Sequence, residues 1–547
     1  MQNNKAQTYS LTGDLFLSML SQGCARLGRN RQAVNDLNVF PIPDGDTGDN
    51  MCLTIESGYS QASRLGGASL SDVAGAASSG MLMGARGNSG VILSRIFAGM
   101  SKGLSGISRT DTAGFASAME AAVREAYGSV AHPVEGTILT VVREGAQSAE
   151  PLKRKSLEDY IGALVHGMED SLEHTPEKLQ VLADAGVVDS GGAGLLHIFY
   201  GFQDALLGIT DSVSPSPVQT AASKVDFSLF DENTELKFGY CTEFLLRLQS
   251  SKVNLDTFDA IEIEDYILGA GDSVVFFREG SIVKVHVHTK TPGDIISHCQ
   301  RWGEFLTVKI ENMTLQHNHS AFAPGKKAAR KGFGKVTVAS GEGLKQAFTD
   351  VGADYVIDGG QTMNPSVADF ITAFDNTPAG TIFVFPNNSN IIMTAQQAAQ
   401  AYKDADVRVI PTKDAGSGYV ALAGFDPTEK DADAMESALA QAASGVICGM
   451  VSVAIRDTVS GPLDIHKGDF IGFRQDDILS CAHDADSAAK GLLEALDAGS
   501  HDVAVVFAGK DTDAGALQES LAGQYPLTEF IFHDGGQAVF NYIIILC

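Results

Sequence analysis

Asp44, Asp46 and Asp49 fall within six positions of one another, in the turn Pro43-Asp44-Gly45-Asp46-Thr47-Gly48-Asp49-Asn50. Carboxylates crowded this closely repel one another unless a cation lies between them. Hard oxygen ligands of this kind suit Mg2+ or Ca2+ rather than a soft metal. The apolar runs Val39-Phe40-Pro41-Ile42 and Met51-Cys52-Leu53-Thr54-Ile55 flank the turn, so it is anchored between buried segments. An ordinary Asp- and Gly-rich surface turn has the same composition, and only other residues can decide between the two.

Two more glycine loops open helices in the same part of the chain. One is Gly84-Ala85-Arg86-Gly87-Asn88-Ser89-Gly90, and the other is Val187-Val188-Asp189-Ser190-Gly191-Gly192-Ala193-Gly194-Leu195. Small residues let backbone N–H groups approach phosphate oxygens, and a following helix N-terminus favours the negative charge. Neither loop contains GK[ST], so neither is a Walker A loop. Each alone is equally a helix-to-helix turn. A carboxylate turn and two phosphate-cradle loops in one helical region together point to a Mg-nucleotide site. In Pro133-Val134-Glu135-Gly136-Thr137-Ile138-Leu139, Glu135 or Thr137 could serve that site or cap a helix.

Further on, Lys284-Val285-His286-Val287-His288-Thr289 reads as a strand. Strand periodicity puts His286 and His288 on one face, about 7 Å apart. Two imidazoles with a thiolate such as Cys241 suit zinc. Alternating histidines on a half-exposed strand need no metal, so the spacing leaves both readings open.

The elements around these residues differ along the chain. Residues 11–27, 70–83, 112–127 and 156–172 carry apolar positions at three- and four-residue spacing, which predicts an all-α bundle over about 1–210. A Pro/Ser/Ala stretch at 212–223 reads as a linker. Strand patterns at 244–248, 273–277 and 282–288, with helices near 255–261 and 293–301, predict a small α/β domain over 225–315. Residues 317–335, with Lys326, Lys327, Arg330, Lys331 and Lys335, read as a second, solvated linker. From 333 to 547 strands and helices alternate in the βαβ rhythm of a parallel sheet. There the loops Gly359-Gly360-Gln361-Thr362-Met363-Asn364-Pro365-Ser366 and Pro386-Asn387-Asn388-Ser389-Asn390 follow strands. Open α/β sheets place ligand crevices at such strand ends, although the same residues also make Asx turns and caps.

The 547 residues carry a net charge of −28, with 44% hydrophobic and 19% charged residues. That acidity argues against non-specific nucleic-acid binding, which needs a basic face. No run is long enough for a transmembrane helix, and the first residues lack a signal-peptide core. Seven scattered cysteines without a CxxC suit reduced thiols. A cytoplasmic protein is expected.

Eight segments in order, NVFPIPDGDTGDNM, GARGNSGVILSR, PVEGTILTVVREGA, GVVDSGGAGLL, FGYCTEFLL, KVHVHTKTPGD, GGQTMNPS and PNNSNIIMTAQQA, closely resemble the A component of bacterial fatty acid kinase. That family fuses a dihydroxyacetone-kinase L-type (DAK2) domain to a DegV-like C-terminal region. The matches run from about residue 35 to about 400, and Gly535-Gly536-Gln537 near the end also fits. The resemblance implies ATP- and Mg2+-dependent phosphorylation of a fatty acid carboxylate presented by a separate DegV-type binding protein. It also implies a homodimer and an acyl phosphate product that feeds phospholipid synthesis.

Carried over by position, the resemblance makes Asp44 and Asp46 Mg2+ ligands, with Asn50 beside them in the catalytic group. It assigns Thr47, Gly87, Asn88, Ser89, Gly90, Thr137, Asp189, Ser190 and Gly191 to the nucleotide. Cys241, His286 and His288 become zinc ligands. Asp49 departs from the family pattern, where a small or hydroxyl residue is more usual, and its role stays open between a third metal ligand and added charge. Two other readings compete: a dihydroxyacetone kinase, although the substrate domain with its covalent His is missing from the pattern, and a non-enzymatic lipid carrier or scaffold.

Overall fold

The computed structural model describes residues 8–38, 45–65, 67–130, 133–209, 240–249, 251–253, 258, 261–279, 281–312, 331–360, 364–454, 457–475 and 477–547. Asp44, Lys326, Lys327, Arg330 and residues 361–363 lie outside this set. The chain groups into two compact units. One joins Met1–Pro215 to Ala329–Cys547, and the other is Ser216–Ala328.

The N-terminal part of the first unit is helical, as the apolar spacing predicts. Its helices are α1 (Gly13–Leu37), α2 (Thr47–Ala62), α3 (Leu70–Gly84), α4 (Gly87–Gly103), α5 (Thr112–Gly128), α6 (Ile138–Ala149) and α7 (Leu157–Glu173). Two short helices, α8 (Thr175–Lys178) and α9 (Gln180–Ala185), precede α10 (Ser190–Leu206). Starts are set by side-chain caps. Thr12, Ser69, Asp111 and Ser156 each accept from a first-turn amide, an interaction worth about 1 kcal/mol. Helices α1 and α10 approach backbone to backbone, since a Cβ on Gly201 would lie 2.3 Å from Gly23 N. Around that contact Phe16, Phe97, Phe199 and Phe202 are buried, with the Phe16–Phe202 and Phe199–Phe202 ring centroids 6.1 and 4.9 Å apart. Each such ring contributes roughly 1.5–3 kcal/mol by leaving water.

Among the described residues, the C-terminal part of the same unit carries two large sheets and a two-stranded ribbon, Thr458–Ser460 with Leu463–Ile465. The first is parallel, formed by β7 (Lys331–Ala339), β8 (Tyr355–Asp358), β9 (Ala379–Phe385) and β10 (Asp406–Val409) in the order β10-β9-β7-β8. The second has six strands, mostly antiparallel, with Ile447–Val453 and Tyr542–Leu546 paired at its centre. Strand β7 starts inside the stretch expected to be a linker. Lys331 Nζ lies 2.6 Å from Asp354 Oδ1, and the Lys335 amide donates to Asp354 Oδ2 at 2.9 Å. An acidic partner across the sheet thus turns the end of the basic run into structure. The two parts share a core: Ala85 and Val91 are buried together with Val336, Val367, Phe370 and Ile391. Gln397 Nε2 donates to the Leu82 carbonyl at 3.2 Å.

The second unit is an antiparallel sheet of β3 (Tyr240–Leu248), β4 (Asp272–Glu279), β5 (Ile282–Thr289) and β6 (Gly303–Asn312), ordered β4-β5-β3-β6. Its helices are Ile261–Ala270 and Pro292–Cys299. The first of these begins where the expected 255–261 helix ends. Ile263 and Ile267 supply its buried face, against Phe244, Val283, Val285 and Val287. Among the described residues, no helix is long and apolar enough to cross a membrane.

Candidate functional site

Three helix N-termini meet at the acidic turn. Helix α2 begins at Thr47 directly after Asp46, which holds the cap position and is only 7% exposed. The Ser190 hydroxyl, at the first residue of α10, donates to Thr47 Oγ1 at 3.2 Å. Gly87, the first residue of α4, sits so close to Asn50 that a Cβ there would lie 2.6 Å from Asn50 Nδ2. Its φ of +56° is the second reason for glycine. Further along, a Cβ on Gly90 would lie 2.4 Å from Thr54 Oγ1, which holds α4 against α2. Each helix start carries partial positive charge and first-turn amides with no partner in their own helix. Helix starts of this kind favour an anion, although at α2 the Gly48 and Asp49 amides already donate to Asn35 Oδ1.

The expected residues divide by environment. Asp46, Thr47, Asn50, Gly87, Gly90 and Ser190 come together as described. Asn88 follows Gly87 with a buried Oδ1 that has no hydrogen-bond partner, and Ser89 lies in the same first turn. Asp189 caps α10, accepting from the Gly192 amide at 2.7 Å. Burial pushes its carboxyl from the ordinary 3.8 up to about 6, against the lowering effect of the Gly192 and Ile138 amides. Gly191 lies against Ile138, 3.3 Å from its Cβ if substituted, which brings the start of α6 beside the third loop.

Thr137 takes the cap position of α6, but its hydroxyl donates backward to the Val134 carbonyl at 2.8 Å. Glu135 accepts from Arg143 Nη1 at 2.6 Å, from Thr140 Oγ1 at 2.7 Å and from Tyr127 Oη at 3.1 Å. Arg143 holds the Glu135 carboxyl below its usual range. Glu135 is therefore committed to a structural network.

Asp49 points to α1. Asn35 Nδ2 donates to its Oδ2 at 2.7 Å, and Arg31 Nη1 lies 3.2 Å from its Oδ1. Asn35 Oδ1 in turn accepts from the Gly48 and Asp49 amides at 2.7 and 3.2 Å. Asn35 and Arg31 thus brace the turn from outside, a role that no local sequence pattern announces. Asp44 lies outside the described residues. Among the described residues, no group of three or more His, Cys, Asp or Glu stands close enough to hold a metal ion.

The C-terminal part reaches this site. Asn364 Nδ2 donates to Asp46 Oδ2 at 2.6 Å, and Arg86 Nη1 donates to the Asn364 carbonyl at 2.6 Å. Arg86 also lies 3.6 Å from Asp369. The Val367 amide donates to the Ala85 carbonyl at 3.3 Å, beside a bridge between Arg86 and Ser366.

In the second unit, the register pairs Cys241 with His288 across β3 and β5, and His286 with Glu243. The side chains of Cys241, His286 and His288 lie outside the described set, so the backbone shows only that the three register positions are neighbours.

The two C-terminal loops and Gln537 line one cavity of ≈ 70 Å3, together with Ser340 and Asp414. Asn387, at φ +60°, donates from Nδ2 to Thr337 Oγ1 and the Val338 carbonyl, both at 2.8 Å, and accepts from Thr412 Oγ1 at 2.9 Å. Asn388 caps the next helix through the Asn390 amide at 2.8 Å, while its Nδ2 is buried without a partner.

Family models match most of the chain. They are the DAK2 domain over residues 41–204, the FakA-like (fatty acid kinase A-like) middle domain over 237–320 and the FakA-like C-terminal domain over 334–546. Protein YloV of Bacillus subtilis is 39% identical over 98% of this chain and 99% of its own length. The chain belongs to the fatty acid kinase A-like family. An uncharacterized protein of Staphylococcus epidermidis is 36% identical over 97% of this chain and 98% of its own length. Among solved structures, a dihydroxyacetone kinase from C. freundii, in complex with AMP-PNP and Mg2+, is similar at a TM-score of 0.29 and 16% identity, over 38% of this chain and 36% of that one. The fatty-acid-binding protein DegV of Bacillus subtilis is similar at 0.30 and 12% identity, over 40% of this chain and all of DegV. A DAK2 domain in a fatty acid kinase A-like chain makes this a protein of kinase type.

Proposed function

We propose that this protein is an ATP-dependent phosphotransferase whose acceptor is the carboxylate of a fatty acid held by a separate DegV-type binding protein. The product is an acyl phosphate for phospholipid synthesis. The observation that carries the reading is the meeting of the α4 and α10 starts with the first turn of α2, which follows Asp46. Phosphoryl transfer depends on positioning and charge neutralisation more than on covalent help. The first-turn amides of α4 at Gly87, Asn88 and Ser89, those of α10 at Ser190 and Gly191, and the Thr47 hydroxyl, held by the Ser190 hydroxyl, are donors for phosphate oxygens.

Mg2+, when bound, supplies the positive charge that a triphosphate needs. Asp44 and Asp46 would hold it, with Asn50 beside them, and the hard-oxygen character of these groups fits that ion. A fatty acid carboxylate is already ionised at pH 7, so the transfer needs no general base. That suits a site whose Asp189 carboxylate is engaged in capping α10.

Two further features belong to the same proposal. Zn2+ on Cys241, His286 and His288 is supported by their adjacent register positions. A homodimer is supported by the exposed Leu306, Val308 and Ile310 on the edge strand β6. Buried free thiols at Cys24, Cys52, Cys299 and Cys448 suit a cytoplasmic setting.

The test compares Mg-ATP consumption and acyl phosphate formation with three acceptors: a fatty-acid-loaded DegV-type protein, free fatty acid and dihydroxyacetone. The loaded protein should be the preferred acceptor. Turnover with dihydroxyacetone alone would instead identify an alcohol kinase, and tight stoichiometric lipid on this chain without turnover would identify a carrier.

A further inference from the structure

A second polar cleft, of ≈ 240 Å3, lies between α4, the end of α5 and the helix Ser389–Ala401. Helical spacing sets its walls. Val91 and Arg95 stand one turn apart on α4, and Gln396, Gln397 and Gln400 share one face of the last helix. Arg124 and Glu125 supply the third side. Arg95 is the unusual member. Its side chain is only 23% exposed, yet among the described residues its guanidinium makes no hydrogen bond. Glu125 Oε1 stands 3.7 Å from its Nη1, beyond hydrogen-bond reach. The Glu125 carboxylate is taken up by Lys102, whose Nζ donates to Oε2 at 2.6 Å. A guanidinium stays charged at any ordinary pH, so donors left unmade in a half-closed place are costly.

The Nε of Arg95 is covered, so the fork that meets a ligand is the Nη1–Nη2 end. That fork matches two oxygens of a carboxylate or a phosphate. The local charge has the same sense. Arg95, Lys102 and Arg124 stand against two carboxylates, Glu120 and Glu125. The corner is therefore net positive in a chain of net charge −28. Gln397 is spent on the Leu82 carbonyl, so the exposed Gln396 and Gln400 are the amide donors on that wall. We propose that this cleft is a second ligand site, which binds a small oxyanion, carboxylate or phosphate, on Arg95 with Arg124 beside it. Arg95 lies eight positions after Gly87 on α4, about 12 Å along the helix. A bound anion thus ties the helix that starts at the Asp46 centre to the C-terminal part, without entering that centre. The proposal does not rest on the phosphotransferase reading.

Equilibrium dialysis of radiolabelled inorganic phosphate and, separately, radiolabelled malonate against the full-length protein tests it. Ionic strength is held constant, and excess Mg-ADP is present to fill the centre at Asp46. At least one of the two anions should bind, and the arm that binds tells phosphate from carboxylate. Arg95→Gln should weaken that binding on the order of tenfold or more. Retention of neither anion by the unmodified protein overturns the proposal. Equal binding by Arg95→Gln overturns it too, as does anion binding that appears only when Mg-ADP is left out. If Arg95→Gln does not fold, Arg124→Glu decides, because its side chain is 70% exposed and carries no packing. Reversal of that charge should weaken binding about threefold or more at low salt, and unchanged binding there overturns the proposal.

Discussion

The Asp46 centre and the C-terminal cavity are built from the same parts, glycine loops and buried carboxamides at helix starts, and yet they differ in what those parts are left to do. Around Asp46, a buried carboxylate meets a carboxamide from a distant segment, since Asn364 Nδ2 donates to Asp46 Oδ2 at 2.6 Å. At the cavity, the charged group is spent within the fold. Asp414 caps the helix Ala415–Ala423 by accepting from the Ser417 amide at 2.7 Å. Asn387 has three side-chain hydrogen bonds, two to strand β7 and one from Thr412. Buried polar atoms without partners occur in both regions, Asn388 Nδ2 and Gln537 Oε1 among them at the cavity, so the difference lies in the charge: Asp46 is a buried carboxylate where helix starts meet, whereas Asp414 caps a single helix. Similar loop composition therefore says less about function than where the buried charge lies.

Substitutions should separate the two regions. The largest effect is expected from Asp46→Asn, which should lower phosphotransfer roughly 10^2–10^3-fold in a radiolabelled ATP assay while the protein stays folded. Next is Gly87→Ala. The φ of +56° and the 2.6 Å approach to Asn50 force a shift at the start of α4, so activity should fall about a hundredfold. Asn387→Ala reverses the pattern. Loss of its bonds should cost about 2–3 kcal/mol in denaturant unfolding, with phosphotransfer by the folded fraction unchanged. A large loss of turnover there, without loss of stability, would erase the contrast.

Asp189 gives a pH signature. Its folded-state pKa, at about 6, lies above the unfolded value of 3.8. Between those values the folded state binds the proton more tightly, so this group's contribution favours the fold at the acid end and is lost as pH rises toward 6. The melting temperature of the unmodified protein should thus fall relative to Asp189→Asn between about pH 4 and pH 6. The smallest effect is expected at Asp49→Asn. Its carboxylate is bound by Asn35 and by Arg31 at an exposed ion pair, worth at most about 1 kcal/mol. Turnover within about threefold of the unmodified protein would fit a bracing role, and a hundredfold loss would make Asp49 a metal ligand after all.

Much of the centre is legible in the sequence because its pieces are local. A glycine loop before an apolar repeat marks a helix start, and Thr47, Gly87 and Ser190 are where α2, α4 and α10 begin. What is not legible is long-range. Asn364 sits in a strand-to-helix loop, where an Asn reads as a turn or cap residue, and nothing in the loop points to Asp46. Likewise Ala85 and Val91 are apolar enough to be buried, but periodicity does not show that Val336 and Phe370 cover them. That is why residues 1–210 and 333–547 read as separate segments although they pack into one unit. The basic stretch that reads as linker at Lys331 and Lys335 becomes strand through Asp354, a partner about twenty positions away. The role of Asp49 is hidden for the same reason, since its partners lie one helix earlier.

The most direct measurement is acyl phosphate formation from Mg-ATP by the full-length protein and a fatty-acid-loaded DegV-type partner, run beside Asp46→Asn. Product with the unmodified protein, and loss of it in Asp46→Asn with nucleotide-free stability preserved, is the predicted result. Equal product from both proteins would contradict the assignment of the three helix N-termini and Asp46 as the phosphotransfer centre.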